Sequence, residues 1–439
     1  MTRIAALFAA GALVVGGIAA AASFSDTTDD TGVTFTRDVL PILQENCQAC
    51  HRPGGDNYTG MVAPMSLMTY EEVRPWAKSI ARNVQSKYMP PWFAAPQHHG
   101  VFANERTLID DEIDTLVRWA KTGARLGDPG DAPATRAFDD HEGWRIGEPD
   151  LVVTAPRYYV PDDVDTHYIG HTVTLTEEML PESRFIQAIE WRGGSSVVHH
   201  IVGYAYLPGQ PQERGRGYGL GSIAPGEEPM RFPDGYAKLL VEGSTIVFSM
   251  HYHKEKGPGT GMWDESQVAF RFHPKDAEVR HFVDHGAVSN GVFDIPPGHP
   301  SWRVGAARVL EEDTTLLAMH PHMHVRGKDA RYVAYYPDGT SETLLWVPEW
   351  DFNWQTDYSF REPKRLPAGT RLEYVAHFDN SPANDANPDP SVSVDWGRET
   401  WDEMMLGYIT SAASEPRVLT VEDVIAEHFA PVGAELSEE

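Results

Sequence analysis

The sequence predicts a multidomain chain, an all-α N-terminal domain followed by two antiparallel β-sandwiches. Three observations carry that expectation. Apolar residues between Val33 and Pro129 recur at helical spacing. Beyond Leu151 the pattern changes to short runs rich in Val, Ile, Phe and Tyr, separated by Gly, Pro and Asp turns. The 439 residues, at ~150 per domain, leave room for about three cores. With 41% hydrophobic and 23% charged residues the chain reads as packed domains, not as disorder. Its 36 Lys and Arg against 64 Asp and Glu, a formal charge of −28, offer no polyanion-binding surface and argue against nucleic acid as a partner. Two Cys exclude a disulfide scaffold, while 19 His invite a search for metal ligands.

Arg3 precedes an apolar run from Ile4 to Ala22, which closes on Ala20-Ala21-Ala22 before a polar stretch. That order is expected of a signal peptide over 1–22, placing the mature protein in the periplasm or outside the cell. About 19 apolar residues could also just cross a bilayer, so a membrane becomes a partner only if the segment is retained.

A helical domain is expected over 33–127. Phe35, Val39, Leu40, Ile42 and Leu43 share one face of a short helix that runs into Cys47-Gln48-Ala49-Cys50-His51. C-x-x-C-H is the attachment pattern of a c-type haem: two thiols form thioethers with the vinyl groups and the adjoining imidazole ligates iron. A disulfide or redox C-x-x-C is the alternative, disfavoured by the immediate His51 and the export signal. For the second axial position Met61, Met65, Met68, Met89, His98 and His99 all follow. Met89 is preferred because Met89-Pro90-Pro91-Trp92 reads as a stiff, apolar loop. Ile109, Ile113, Leu116, Val117 and Ala120 form a closing helix, with Asp110 and Asp111 in its first turn and Gly123 as its stop. This block resembles a small class I cytochrome c domain.

Turn-rich residues 128–147 read as a linker. Strands are then expected over 171–175, 184–192, 196–207, 245–253, 304–310, 314–324, 331–336, 371–378 and 403–410, too many for one sandwich. Two are expected, at 148–288 and 289–428.

The histidines cluster in those runs: His199-His200, His251-Tyr252-His253, and His320-Pro321-His322-Met323-His324. Alternate strand residues lie ~6.6 Å apart on one face, so an H-x-H pair can converge on a metal with bonds of about 2.0 Å. Adjacent residues such as His199 and His200 face opposite ways unless a bulge intervenes. Ordinary hydrogen-bonded core histidines are the bland alternative, weakened by the concurrence of seven in three short runs.

His199-His200, then Met250-His251-Tyr252, Ile295-Pro296-Pro297-Gly298, His322-Met323-His324-Val325-Arg326-Gly327-Lys328 and Asp402-Glu403-Met404 stand in the order seen in the copper type II, ascorbate-dependent monooxygenases. The chain resembles that family, which includes peptidylglycine α-hydroxylating monooxygenase and dopamine β-monooxygenase, over roughly 150–425. The resemblance implies jelly-roll-like sandwiches and two coppers. One, which relays electrons, would be held by His199, His200 and His251; the other, which meets O₂, by His322, His324 and Met404. His322 is preferred to His320 because it lies five residues before Gly327. The thioether of Met404 suits Cu(I), and its rival Met405 would face the other side of a strand. Zinc is the alternative for a three-histidine site. Tyr408 matches a substrate-side Tyr of the family, although such a residue can also be simple core. The Arg and Asn that serve peptide hydroxylation are replaced by His320 and Leu406, so a peptide carboxylate is poorly provided for.

The function implied is hydroxylation of a C–H bond in a small organic substrate with O₂. The two electrons would come through the haem from a periplasmic donor, or from ascorbate or another external reductant. Two other readings stand beside it: an electron-transfer or copper-handling protein without oxygenase activity, and a copper reductase of a small nitrogen oxide.

Overall fold

A β-branched and aromatic alternation dominates from Leu151 onward, and it is there that the strands form. The computed structural model describes residues 32–53, 55, 63–138, 143–210, 212, 217–224 and 227–429. The expected signal peptide and Met61 lie outside the described residues. Strands of the N-terminal half are β1 (Leu151–Thr154), β2 (Tyr158–Val160), β3 (Thr166–Thr174), β4 (Arg184–Arg192), β5 (Val198–Tyr206) and β6 (Tyr218–Ile223). They continue with β7 (Met230–Arg231), β8 (Tyr236–Leu240), β9 (Thr245–His253), β10 (Met262–Asp264), β11 (Gln267–Phe272) and β12 (His281–Phe282). The C-terminal half carries β13 (Asp284–Ser289), β14 (Asp294–Ile295), β15 (Trp302–Val309), β16 (Thr314–His322) and β17 (Gly327–Tyr335). It ends with β18 (Ser341–Val347), β19 (Tyr358–Leu366), β20 (Arg371–Phe378), β21 (Val394–Asp395) and β22 (Leu406–Ala413).

In the first half one sheet runs β1-β11-β4-β8-β12 and the other β3-β9-β5-β6. Ile189, Trp191, Val268 and Phe270 from one sheet share a buried core with Ile201, Ile246, Phe248 and Met250 from the other. Trp191 stands edge-on to Phe248 and donates to Leu220 O at 3.0 Å. Gly203 makes room for that indole, because a Cβ there would collide with the Trp191 ring. Pairing is antiparallel except where β12 lies parallel to β8.

In the second half the sheets are β13-β22-β16-β19 and β15-β20-β17-β18. β20 alternates outward and buried residues along its whole length, and Leu316, Met319, Tyr332, Tyr374 and Ile409 fill the space between the sheets. Because β13 pairs with β22, this unit begins at Asp284, a few residues before the expected boundary at 289.

Residues 32–138 hold four short α-helices among those described, α1 (Leu40–Asn46), α2 (Tyr70–Val73), α3 (Ala77–Gln85) and α4 (Asp110–Lys121), besides single turns of tighter or wider helix. They share a core of Phe35, Val39, Leu43, Val84, Leu116 and Trp119. Loop exceeds helix in this segment, so the all-α expectation holds only in that the helices other than the terminal one gather here. The segment is also not self-contained. Trp92 and Phe102 lie in the core of the C-terminal sandwich, packed on Tyr358 at ring separations of 5.0 and 5.5 Å. Ala95 N donates to Trp346 O at 2.8 Å, Trp346 N to His98 Nε2 at 3.0 Å and Ala103 N to Ser359 O at 2.8 Å. The strap over 92–104 therefore joins the helical segment to the last sandwich directly, without waiting for the expected linker.

The last helix, α5 (Val421–His428), follows the C-terminal sandwich but packs Val424 and Ile425 against Leu239, Val241 and Phe282 of the N-terminal one. No helix among the described residues is long and apolar enough to cross a membrane.

Candidate metal centre

β5 and β9 pair with His200 opposite His251, and the register slips between Val198 and His200. That bulge removes the objection from strand alternation: one extra residue lets both His199 and His200 turn toward β9. His200 Nδ1 lies 3.2 Å from His199 Nδ1 and 3.4 Å from His251 Nδ1. One ligand nitrogen from each ring falls within 4.8 Å of the other two. Thr166 on β3 fixes His251 from behind, its Oγ1 2.8 Å from Nε2. With Nε2–H donating to that hydroxyl, His251 presents a bare Nδ1 lone pair to its neighbours. Tyr168 stacks on the His251 ring at 4.0 Å.

These imidazoles are held neutral. Burial pulls His251 down to about 2 and His199 to about 4, and drives His200 well below its ordinary value; the neighbouring histidines add to each shift. Three neutral imidazoles whose nitrogens converge in this way can each turn a lone pair to a common point, and a soft or borderline cation suits such a set. The donor set therefore fits a copper ion.

The second group lies where β16 runs out of the sheet. His322 and His324 place their rings 5.4 Å apart at 90°. His322 Nδ1 is 2.6 Å from Gln355 Oε1 and His324 Nδ1 is 3.2 Å from Asp402 O. In each case an Nδ1–H donor to an oxygen leaves Nε2 available as the ligand atom, the usual second-layer arrangement of a metal-bound histidine. Burial and the charges of His324 and His320 hold His322 down to about 3. Glu403, fully buried, accepts from His324 N at 2.8 Å and Arg326 N at 2.6 Å, which fixes the turn leaving β16 against the chain entering β22. The β16–β22 ladder ends at His322 opposite Leu406. Continued two residues in the same antiparallel sense, it sets Met404 opposite His324. Met405 is fully buried among the apolar side chains of the sandwich, while Met404 is half-buried. Two imidazoles and a thioether are a donor set that fits Cu(I).

The two groups adjoin. Phe352 lies flat against His199 at 5.7 Å and edge-on to His324 at 6.3 Å. Tyr168 on the first sandwich feels the charges of Glu399 and Asp402 on the second.

Tyr408 pairs with His320 across the ladder, its ring 6.3 Å from His322 and stacked on His285 at 5.3 Å. His320 stacks on His322 at 6.4 Å but turns its Nδ1 away to two carboxyl groups. Its Nδ1 is 3.2 Å from both Glu227 Oε1 and Asp357 Oδ1; burial lowers its pKa, but the Asp357 hydrogen bond and the charge of Glu227 raise it on balance. His253 stands edge-on to His199 at 6.1 Å on an exposed strand end.

In the helical segment the chain turns helically through the C-x-x-C-H run, Cys50 N and His51 N both donating to Cys47 O. Cys47 packs on the helical core, no disulfide joins Cys47 to Cys50, and His51 Nδ1 is 3.2 Å from Met65 O. An Nδ1–H donor to that carbonyl leaves Nε2 for iron, so the set fits a covalent haem. It also places the Met65 backbone behind the His51 ring. Met89 is half-buried on the turn after α3, its N–H donating to Asn83 O at 3.2 Å. Of its apolar surroundings, Trp92 belongs to the sandwich core, and His98 is engaged by Trp346.

Sequence reading passed over Thr166, Glu227, Phe352, Gln355 and Asp357. All but Thr166 sit in loops, where no periodicity marks them.

No family model and no curated protein matches the chain. Solved structures similar to it include the cowpea mosaic virus top component, at 6% identity over 62% of this chain and 90% of that one, TM-score 0.30. Broad Bean Stain Virus gives 6% identity over 63% and 92%, TM-score 0.29, and PNGF-II gives 10% over 61% and 66%, TM-score 0.24. Likenesses of that size carry no argument.

Proposed function

We propose that this chain is an exported, copper-dependent monooxygenase that hydroxylates a C–H bond of a small organic substrate. Its sandwiches are jelly-roll-like copper domains and its helical segment is a c-type cytochrome domain. The observation that carries the reading is the pair of histidine groups, three imidazoles on the first sandwich and His322 with His324 on the second, on either side of Phe352; Met404 is the thioether that would complete the second set. Copper at these sites supplies one-electron chemistry with O₂, and haem at Cys47, Cys50 and His51 supplies electrons singly. The balance is substrate C–H plus O₂, two electrons and two protons, giving C–OH and water.

The chain's own groups set the conditions for this. Thr166, Gln355 and the Asp402 carbonyl fix which nitrogen of His251, His322 and His324 is bare. Glu403 holds the turn that carries His324. Tyr408 lies between His322 and His285 and is the aromatic residue that would meet an apolar substrate beside His322. Neutral imidazoles accept metal without first losing a proton, so the sites remain ready at neutral pH.

Copper and haem counts on the exported protein test the reading, together with haem reoxidation. Two coppers and one haem per chain are expected, and reduced haem should reoxidise under O₂ in the wild type but far more slowly in Met404→Leu. Copper near zero, or reoxidation indifferent to Met404, overturns it.

A further inference from the structure

Outside the two donor sets, a third cluster joins both sandwiches. Glu227 comes from the segment between β6 and β7 of the first; His320 on β16 and Asp357 in the loop just before β19 come from the second. One ligand atom from each lies within 4.8 Å of the others, and His320 Nδ1 is 3.2 Å from each carboxylate oxygen. Donor atoms on one ion with bonds of ~2.1 Å lie about 3.0–3.4 Å apart, a spacing that the two contacts of His320 match. The site is prepared in advance. Glu227 is 2% exposed and His320 6%. Ser222 Oγ donates to Glu227 Oε1 at 3.0 Å and Ala224 N to Oε2 at 2.7 Å. Asn104 of the strap donates to Asp357 O at 2.6 Å, and Arg106 reaches Glu228, the neighbour of Glu227, at 2.6 Å. Three parts of the chain therefore meet at this point.

We propose that Glu227, His320 and Asp357 bind a divalent first-row cation distinct from the coppers. Two carboxyl groups beside one imidazole in a largely buried site balance their charge either by keeping a proton on Glu227 or by a divalent ion that takes the proton's place. An imidazole with two carboxylates and no sulfur is a harder set than His322, His324 and Met404, and it suits Zn²⁺ or Mn²⁺ over Cu(I). Three protein ligands leave a position for water, which the partly exposed Asp357 side admits. Such an ion pins the first sandwich to the second and so fixes the separation of the two histidine groups.

Zinc is the probe. The full-length, haem-bearing protein is loaded with copper, incubated with Zn²⁺, passed through gel filtration and its metals counted. One zinc per chain beyond the copper is expected, with at least tenfold weaker retention in Glu227→Gln and in Asp357→Asn while haem and copper stay unchanged. Zinc should raise the melting temperature of the wild type and not of the variants. No zinc retained by the wild type, or equal zinc in both variants, overturns the proposal and leaves the trio a hydrogen-bonded ion pair. Glu227→Gln keeps the side-chain shape, and Asp357→Asn gives an independent second measurement should the first variant not fold.

Discussion

The ring of Phe352 lies parallel to that of His199, 5.7 Å from it, and turns its edge to His324 on the other sandwich. One aromatic side chain from the loop between β18 and β19 thus touches a histidine of each donor set. If electrons cross there, Phe352→Ala keeps both coppers but slows turnover by on the order of tenfold, the equivalent of ~1.4 kcal/mol in barrier. Stopped-flow measurement of the second electron's arrival is the check. An unchanged rate would mean that the ring merely fills space.

The two sites separate by mutation. His251→Ala removes the lone pair that faces His200 and should leave one copper per chain, with the site at His322 intact. Gln355→Ala leaves His322 in place but frees its ring, and copper affinity there should fall by roughly 10–100-fold, as is usual when such a support is removed. Equilibrium dialysis against a Cu(I) chelator distinguishes the cases; equal losses at both sites would contradict the division.

Acid should unfold the metal-free protein early. His285, buried and facing Lys238, is held down to about 4, so it is neutral when folded but titrates near 6.5 when unfolded. Its contribution is complete above pH 6.5 and is lost as pH falls from 6.5 toward 4, a change on the order of 3 kcal/mol. Burial pushes Glu227 and Glu403 up to about 8, and they act in the opposite sense, stabilising most below pH 4.5 and less as pH rises to 8. Denaturation of His285→Gln beside the wild type isolates the histidine: its stability should vary less between pH 6.5 and 4.

Phe102→Ala opens a cavity in the C-terminal sandwich although the residue lies in the helical third of the sequence. The expected cost is roughly 3–5 kcal/mol, measurable by denaturant titration. The same substitution should loosen the strap, so protease cleavage within 92–106 becomes the sensitive readout.

β20 was legible to the residue from its alternation, and β4 and β9 from continuous β-branched and aromatic runs that are buried along most of their length. β6 carries two glycines and β19 a run Arg361-Glu362-Pro363-Lys364-Arg365, so neither showed an apolar period and neither was expected. His199 and His200 were suspect as a pair for a sound reason, strand alternation, and only the register slip at Val198 resolves it. The order His199-His200, His251, His322-x-His324 and Met404 marked the candidate ligands. What orients them comes from segments remote in sequence: Thr166 lies 85 residues from His251 and Gln355 33 from His322. Trp92 was read as stiffening a loop for Met89, whereas its ring lies in another domain's core.

The strap over 92–104 and the return of α5 to Leu239 and Phe282 tie the first sandwich, the second and the helical segment to one another out of chain order. A cut at the linker would therefore strand Phe102 from its core, and one between the sandwiches would strand Val424. The chain is accordingly a single cooperative unit, and none of its parts can be exchanged as a cassette by trimming at the boundaries that its composition suggests.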